Sequence, residues 1–141
     1  MKEKKIFFIS GHRDITKEEF ETLYAPSIIS AIESTDAYFV VGDYEGVDIM
    51  AQDFLINVID YPREKIFVYH MFDKPRNVNK EIVNFIGGFQ TDEERDYAMT
   101  KASDADIAFV KWGRFDSGTA QNIVRRHAFI IKNEKVEKYI Q

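Results

Sequence analysis

The sequence predicts an α/β fold, a Rossmann-like three-layer sandwich built on a mainly parallel sheet of five strands. Short apolar runs alternate with longer segments of helical character, which is typical of parallel strands joined by crossover helices. The runs are almost wholly apolar, as expected for strands buried on both faces. The predicted strands are residues 5–10, 37–41, 66–70, 105–111 and 128–132.

Size and charge narrow the class of protein. A chain of 141 residues is long enough for one domain with its own core, so we expect a single Rossmann-like domain over residues 1–141. The formal net charge of −5 argues against nucleic acid as a partner. The absence of cysteine excludes disulfides and thiol chemistry. With no signal peptide and no apolar stretch of membrane-spanning length, we expect a cytoplasmic protein with no membrane partner.

Helices are predicted between the strands. Thr16 and Glu19 have the spacing of a capping box, which predicts a helix from residue 16 to about residue 34. Pro26 falls inside it and is expected to kink or divide it. The remaining helices are expected at residues 47–58, 94–102, about 116–126 and 134–140.

The longest segment without regular periodicity runs from residue 71 to residue 90. The sequence predicts an irregular loop there, with a short helix at residues 79–85. Loops of this length in compact domains are usually functional or mobile. We therefore expect this loop to cover a cleft or to bind a partner.

Three polar, glycine-containing turns follow three of the predicted strands. Ligands of open α/β sheets bind beyond the carboxyl ends of the strands, so the turns are expected to converge on one site. The candidate binding residues in the first two turns are Gly11, His12, Arg13, Gly42, Asp43, Gly46 and Asp48. Those of the third turn and the helix after it are Asp116, Ser117, Gly118, Thr119 and Asn122.

The third turn has the composition of an anion site. Asp116, Ser117 and Thr119 are good N-cap residues, and Gly118 lets a ligand approach the backbone closely. The free N–H groups and the dipole of the following helix favour a phosphate. Alone, the four residues fit a plain helix cap better than a ligand site, and it is the convergence of three turns that favours a ligand.

The other two turns leave alternatives open. Arg13 could form a bidentate contact with a phosphate or carboxylate, and His12 could donate to an oxyanion, or both could be solvated loop residues. Asp48 either complements the dipole of its helix or holds the facing loop and accepts from a ribose hydroxyl.

Several short motifs occur in one order and spacing. They are Glu94-Arg95, Met99, Asp104-Ala105, Ile107-Ala108 and Gly118-Thr119. In this the chain resembles the signature region of the Lonely Guy phosphoribohydrolases, with no gap over residues 94–109. It also resembles the wider SLOG superfamily of Rossmann-like nucleotide-binding domains and, in outline, the nucleoside deoxyribosyltransferases.

The resemblance implies a nucleotide or nucleotide-derived small molecule as the ligand, bound at the strand ends. It adds Arg95 to the site, where the alternative is a surface arginine paired with Asp92 or Asp96. It also implies a homo-oligomer, because the relatives are commonly dimers or larger.

The chain departs from the hydrolases at the residue that matters most for catalysis. Asn122 stands where they have a catalytic glutamate, and an amide cannot act as a base or a nucleophile. Asp43, Asp48 or Asp116 could supply a carboxylate instead. The candidate catalytic residues are therefore Arg95, Asp116 and Asp48, with none selected.

A nucleotide-binding protein is therefore the expected function. The alternative is a hydrolase or transferase acting on the N-glycosidic bond of nucleotides. A second alternative is a protein-interaction scaffold with a degenerate pocket, for which the loop at residues 71–90 is the support. We predict neither a metal site nor a cofactor.

Overall fold

The computed structural model describes residues 2–127 and contains one sheet of five parallel strands. Helices lie on both faces of the sheet, which confirms the predicted α/β, Rossmann-like three-layer fold. The strands are β1 (Lys4–Ser10), β2 (Asp36–Val41), β3 (Ile66–Met71), β4 (Asn84–Phe89) and β5 (Ala105–Ala108), in the spatial order β4-β3-β2-β1-β5.

The helices begin close to where the sequence predicts them. They are α1 (Lys17–Glu19), α2 (Ala25–Ser34), α3 (Val47–Asp53), α4 (Asp92–Ala102) and α5, which begins at residue 118 and continues to the end of the described chain. In residues 2–127 no helix combines the length and the apolar character needed to cross a membrane.

Local sequence explains how the first helical segment begins and why it is irregular. The side chain of Thr16 accepts from the backbone N–H of Glu19, and the Glu19 carboxylate accepts from the backbone N–H of Thr16, which completes the capping box. The predicted interruption near Pro26 takes the form of a wide π-helical turn at Phe20–Tyr24, directly before α2. Proline lacks the N–H that a regular helix would use there.

The core is divided unequally between the two faces of the sheet. The helices α2 and α3 pack on one face over the larger cluster, which includes Ile9, Ile28, Phe39, Val47 and Leu55. On the other face, α4 crosses over β4, β3 and β1 and covers a smaller cluster of Phe8, Val40, Tyr69 and Met99. Polar side chains therefore have room on the α4 face near the strand ends.

The predicted irregular loop is present over residues 72–83, but the prediction of a short helix at residues 79–85 was wrong. Residues 84–89 form β4, which pairs in parallel with β3 at the edge of the sheet. Two glycines in this strand weaken its sequence signal. Gly87 is needed because a Cβ there would collide with the imidazole of His70. The predicted strand at 128–132 and helix at 134–140 lie outside the described residues.

Residues 72–83 form the connection between β3 and β4. Asn79 fixes it to α3, because its backbone N–H donates to Gln52 Oε1 at 2.9 Å and its Nδ2 donates to Asp53 Oδ1 at 2.9 Å. None of residues 72–83 lines the cleft described below. The connection therefore does not act as the expected cover over the cleft.

The strand order reverses between β1 and β5. The chain adds β2, β3 and β4 successively on one side of β1, and α4 then returns it to the other side. Tyr24 holds the two strand ends: its hydroxyl donates to the carbonyl of Ser10 at 2.7 Å and accepts from the N–H of Phe109 at 3.1 Å. Crevices at such reversal points are where open α/β sheets bind ligands.

Candidate functional site

A cleft of ≈ 360 Å³ opens at this reversal point. Nine of the predicted residues line it: Gly11, His12, Arg13, Asp48, Arg95, Ser117, Gly118, Thr119 and Asn122. Seven further residues, which the sequence analysis did not place in the site, also line it: Phe8, Ser10, Tyr44, Asp92, Asp96, Met99 and Arg114. The first and third predicted turns therefore meet in one wall, together with α4.

The start of α5 borders the cleft. The side chain of Ser117 caps the helix by accepting from the N–H of Ala120 at 3.1 Å. The side chain of Ser117 satisfies only the N–H of Ala120. The N–H groups of Gly118 and Thr119, at the start of the helix, therefore have no partner within it. A Cβ on Gly118 would meet no atom within 4 Å, so the space above this helix start is open.

Two arginines stand at the mouth of the cleft. Arg13 is exposed, and its Nη1 donates to the hydroxyl of Tyr44 at 3.3 Å. Arg114 makes a bidentate contact with Asp14, with both distances 2.7 Å. Hydrogen bonds from Arg114 hold the pKa of Asp14 well below its ordinary value. Asp14 thus neutralises Arg114, whereas Arg13 has no carboxylate within 4 Å among the residues that the structure describes.

His12 fastens the loop at residues 111–117 to the end of β1. Its Nε2 accepts from the backbone N–H of Lys111 at 2.9 Å, which requires a neutral ring with the proton on Nδ1. Burial, with the nearby charge of Arg114, lowers the pKa of His12. Only Nδ1–H is therefore left to donate to a ligand, which is one of the two roles that the sequence left open for His12.

Arg95 lies in the cleft wall, but carboxylates surround its guanidinium group. The residue is only 5% exposed. Its nitrogens lie 2.8 Å from Asp43 Oδ1 and 2.8 Å from Asp96 Oδ1. Asp92 follows at 3.2 Å and Asp48 at 3.9 Å. Arg95 is therefore neither a free phosphate ligand nor a surface arginine, but the buried centre of an ion cluster.

Asp43 belongs to this cluster and not to the cleft wall. Its side chain is fully buried and accepts from Arg76 Nη2 at 2.9 Å as well as from Arg95. Burial alone would raise the pKa of Asp43, but the hydrogen bonds from Arg76 and Arg95 outweigh it and lower the pKa. Asp43 is thus a buried counter-ion.

Gly42, Gly46 and Asp116 also lie outside the cleft wall. A side chain at Gly42 would collide with the carboxylate of Asp48 and the guanidinium of Arg95, so this glycine admits the ion cluster and not a ligand. Gly46 has a φ of +83° and packs against the backbone of Arg13. Direct contact of these three residues with a ligand stays a prediction, which their position outside the cleft wall does not support.

Asp48 and Asn122 both line the cleft. Asp48 Oδ2 accepts from the backbone N–H of Tyr44 at 3.1 Å, so it holds its own turn while lining the cleft. Burial raises the pKa of Asp48 to about 7, although Arg95 opposes the shift. Asn122 Nδ2 donates to Asp96 Oδ2 at 3.1 Å, and its Oδ1 accepts from Arg125 at 2.6 Å.

Sequence reasoning missed Asp96 and Ser10, although both left a signal. Asp92, Arg95, Asp96 and Met99 recur at helical spacing, which predicts one face of α4. Ser10 follows Phe8 on the same face of β1. Its Oγ is buried in the cleft wall and has no hydrogen-bond partner within the described residues. The floor of the cleft thus contains a hydroxyl without a partner.

The fold and the cleft together define a Rossmann-like α/β domain with a polar site at the strand-order reversal. Comparison of the chain with protein-family models, with curated proteins and with solved structures gives no match. The function of the cleft is therefore argued from the residues that line it.

Arg95 should matter for stability. Replacing Arg95 with alanine leaves Asp43 and its neighbouring carboxylates without their central cation, so we expect a loss of about 3–5 kcal/mol in the free energy of unfolding. Urea denaturation measures this. Arg63→Ala is the control, because Arg63 pairs with Asp60 and Glu81 nearer the surface, where a pair contributes about 0–1 kcal/mol. Equal losses in the two variants would contradict the central position of Arg95.

Asp48 should make stability depend on pH. Its pKa is about 7 in the folded chain against an ordinary value of 3.8, so between these values the folded state binds more protons than the unfolded state. The contribution of Asp48 to stability therefore falls as pH rises from about 4 to about 7. Asp48→Asn should gain roughly 1–4 kcal/mol relative to the native protein between pH 4 and pH 8.

Urea denaturation at several pH values measures this gain. Asp73→Asn is the matched control, because it removes a carboxylate that is exposed and lies outside the cleft wall. A difference between Asp48→Asn and the native protein that does not change with pH would show that folding does not raise the pKa of Asp48.

Proposed function

We propose that this protein binds a nucleotide or nucleotide-derived small molecule in the cleft, with a phosphate group at the start of α5. The observation that carries the proposal is the capped helix start at Ser117, which faces open space above Gly118 at the strand-order reversal. Free N–H groups and the helix dipole both favour an anion at such a position.

The polar groups of the cleft support a ligand whose phosphate lies at the start of α5 and whose sugar lies deeper in the cleft. Arg13 adds positive charge to the cleft wall, and arginine suits phosphate oxygens because its donors form a planar fork. Asp48, Asn122 and the unpartnered hydroxyl of Ser10 are deeper in the wall and suit the hydroxyl groups of a sugar. A volume of ≈ 360 Å³ falls within the range of small-molecule sites.

A carboxylate introduced at position 118 should abolish ligand binding without reducing the stability of the fold. Gly118→Asp places a negative charge where we expect the phosphate, so binding should be lost. The same charge complements the helix dipole, worth about 0.3–1 kcal/mol, so the free energy of unfolding should be kept or increased. Gly118→Ala is the matched control, because a methyl group there meets no atom within 4 Å.

A thermal-shift panel of AMP, ADP-ribose, NAD and cyclic dinucleotides measures the effect. A ligand at about 100 times its Kd stabilises the native protein by roughly 2.7 kcal/mol. We expect this shift in the native protein and in Gly118→Ala but not in Gly118→Asp. Unchanged binding by Gly118→Asp would place the phosphate elsewhere, and no shift with any nucleotide would overturn the proposed function.

A second candidate function is hydrolysis or transfer at the N-glycosidic bond. It is favoured by Asp48 and Asp96, which both line the cleft. Cleavage of a glycosidic bond uses one carboxyl group as an acid and another to stabilise the oxocarbenium-like transition state. Asp48 has a raised pKa suited to the first role, and Asp96 is oriented by Arg95 and Asn122. Asp43 and Asp116 are less suited, because neither lines the cleft.

Product release distinguishes the two functions. Because Asn122 is an amide, we expect nucleotide binding with little or no release of free base from AMP. Chromatography of free adenine after incubation with the purified protein measures this. Robust release would favour the enzyme, and Asp48→Asn should then reduce the rate by about 10²-fold or more. The scaffold alternative has lost its main support, since residues 84–89 form a strand of the sheet.

A further inference from the structure

We infer that Trp112 and Phe115 form a stacking platform at the mouth of the cleft, and that the ligand carries a second aromatic ring beyond its phosphates. This inference rests on the proposed function and names the ligand class more closely. The ligand is then a dinucleotide-like molecule and not a mononucleotide.

The two aromatic side chains are unusually open to solvent. Trp112 is 93% exposed and Phe115 is 68% exposed. Their rings contact each other edge to face, with centroids 5.5 Å apart. Single exposed apolar residues are ordinary, but two adjoining aromatic rings on one short loop present a continuous apolar surface. Arg114 lies between them in sequence and is held by Asp14.

The loop that carries these rings is fixed in place. At one end the N–H of Lys111 donates to His12, and at the other end Ser117 caps α5. Between them, Arg114 makes its bidentate contact with Asp14. Because the loop is already held in one conformation, binding of a ligand to it costs little conformational entropy.

The position of the loop indicates which part of the ligand it meets. Arg114 and Ser117 line the cleft, whereas Trp112 and Phe115 lie outside its wall. A phosphate at the start of α5 would stand at this boundary, with its nucleoside inside the cleft. A group attached beyond the phosphates then leaves the cleft alongside the loop. Aromatic side chains and arginine both stack on the faces of nucleobases.

Two ligands that differ only in the second ring test the inference. ADP-ribose and diadenosine diphosphate share an adenosine diphosphate ribose unit, and only the second molecule has another adenine. Stacking on one aromatic platform corresponds to about 5- to 150-fold in affinity. We expect diadenosine diphosphate to bind more tightly than ADP-ribose by such a factor. Trp112 is the one tryptophan of the chain, so quenching of its fluorescence reports the contact directly.

Calorimetric titration of Trp112→Ala should give equal affinities for the two ligands, with the affinity for ADP-ribose unchanged. Trp112→Phe should restore part of the difference. Tyr97→Ala is the control, because Tyr97 is an exposed aromatic residue outside the cleft, and this variant should behave as the native protein does.

Three results would overturn the inference. If ADP-ribose binds and diadenosine diphosphate binds no better, the platform is not used and the proposed function stands. If neither ligand binds and the thermal-shift panel finds no other nucleotide, the inference and the proposed function fall together. If Trp112 fluorescence instead changes with protein concentration in the absence of ligand, the aromatic pair is a contact between two copies of the chain.

Discussion

The buried ion pair between Arg95 and Asp43 is the interaction on which the arrangement of the strand ends depends. Arg95 comes from α4, on the face of the sheet with the smaller core, and Asp43 comes from the turn after β2. Arg76, from the connection between β3 and β4, joins the same carboxylate. Burying these charges costs several kcal/mol for each ion and is tolerated only while all partners are present. The cluster therefore fixes three distant segments relative to one another.

Much of the fold could be predicted because its signals are local. Apolar runs identify β1, β2, β3 and β5, and the spacing of Thr16 and Glu19 identifies the first helix start. The strand β4 was not predicted, because Gly87 and Gly88 are disfavoured in strands. The reason for Gly87 is the imidazole of His70 on the neighbouring strand, and a contact of this kind is invisible before the pairing of the strands is known.

In the candidate site, too, features with local signals could be predicted and contacts between distant residues could not. Parallel topology brings the turns after β1 and β5 together, so Arg13 and Gly118 were placed correctly in one cleft. The partners of individual charges could not be predicted, since Arg95 meets Asp43 across 52 residues and Arg114 meets Asp14 across 100. Net charge was equally uninformative about the cleft, which is lined by three arginines and three aspartates although the chain as a whole is acidic. The local field of a cleft depends on where a few side chains lie, and not on their total.

The irregular end of β4 has a consequence for how the molecule behaves in a crowded solution. Within the described chain β4 forms an edge of the sheet, and it exposes Phe85 and Ile86. A straight apolar edge is a template on which strands of other molecules add and aggregate. Gly88, with a φ of +89°, and the shift in register opposite Tyr69 and Met71 bend this edge. The same two glycines that obscured the strand in the sequence thus shorten the surface on which aggregation could begin.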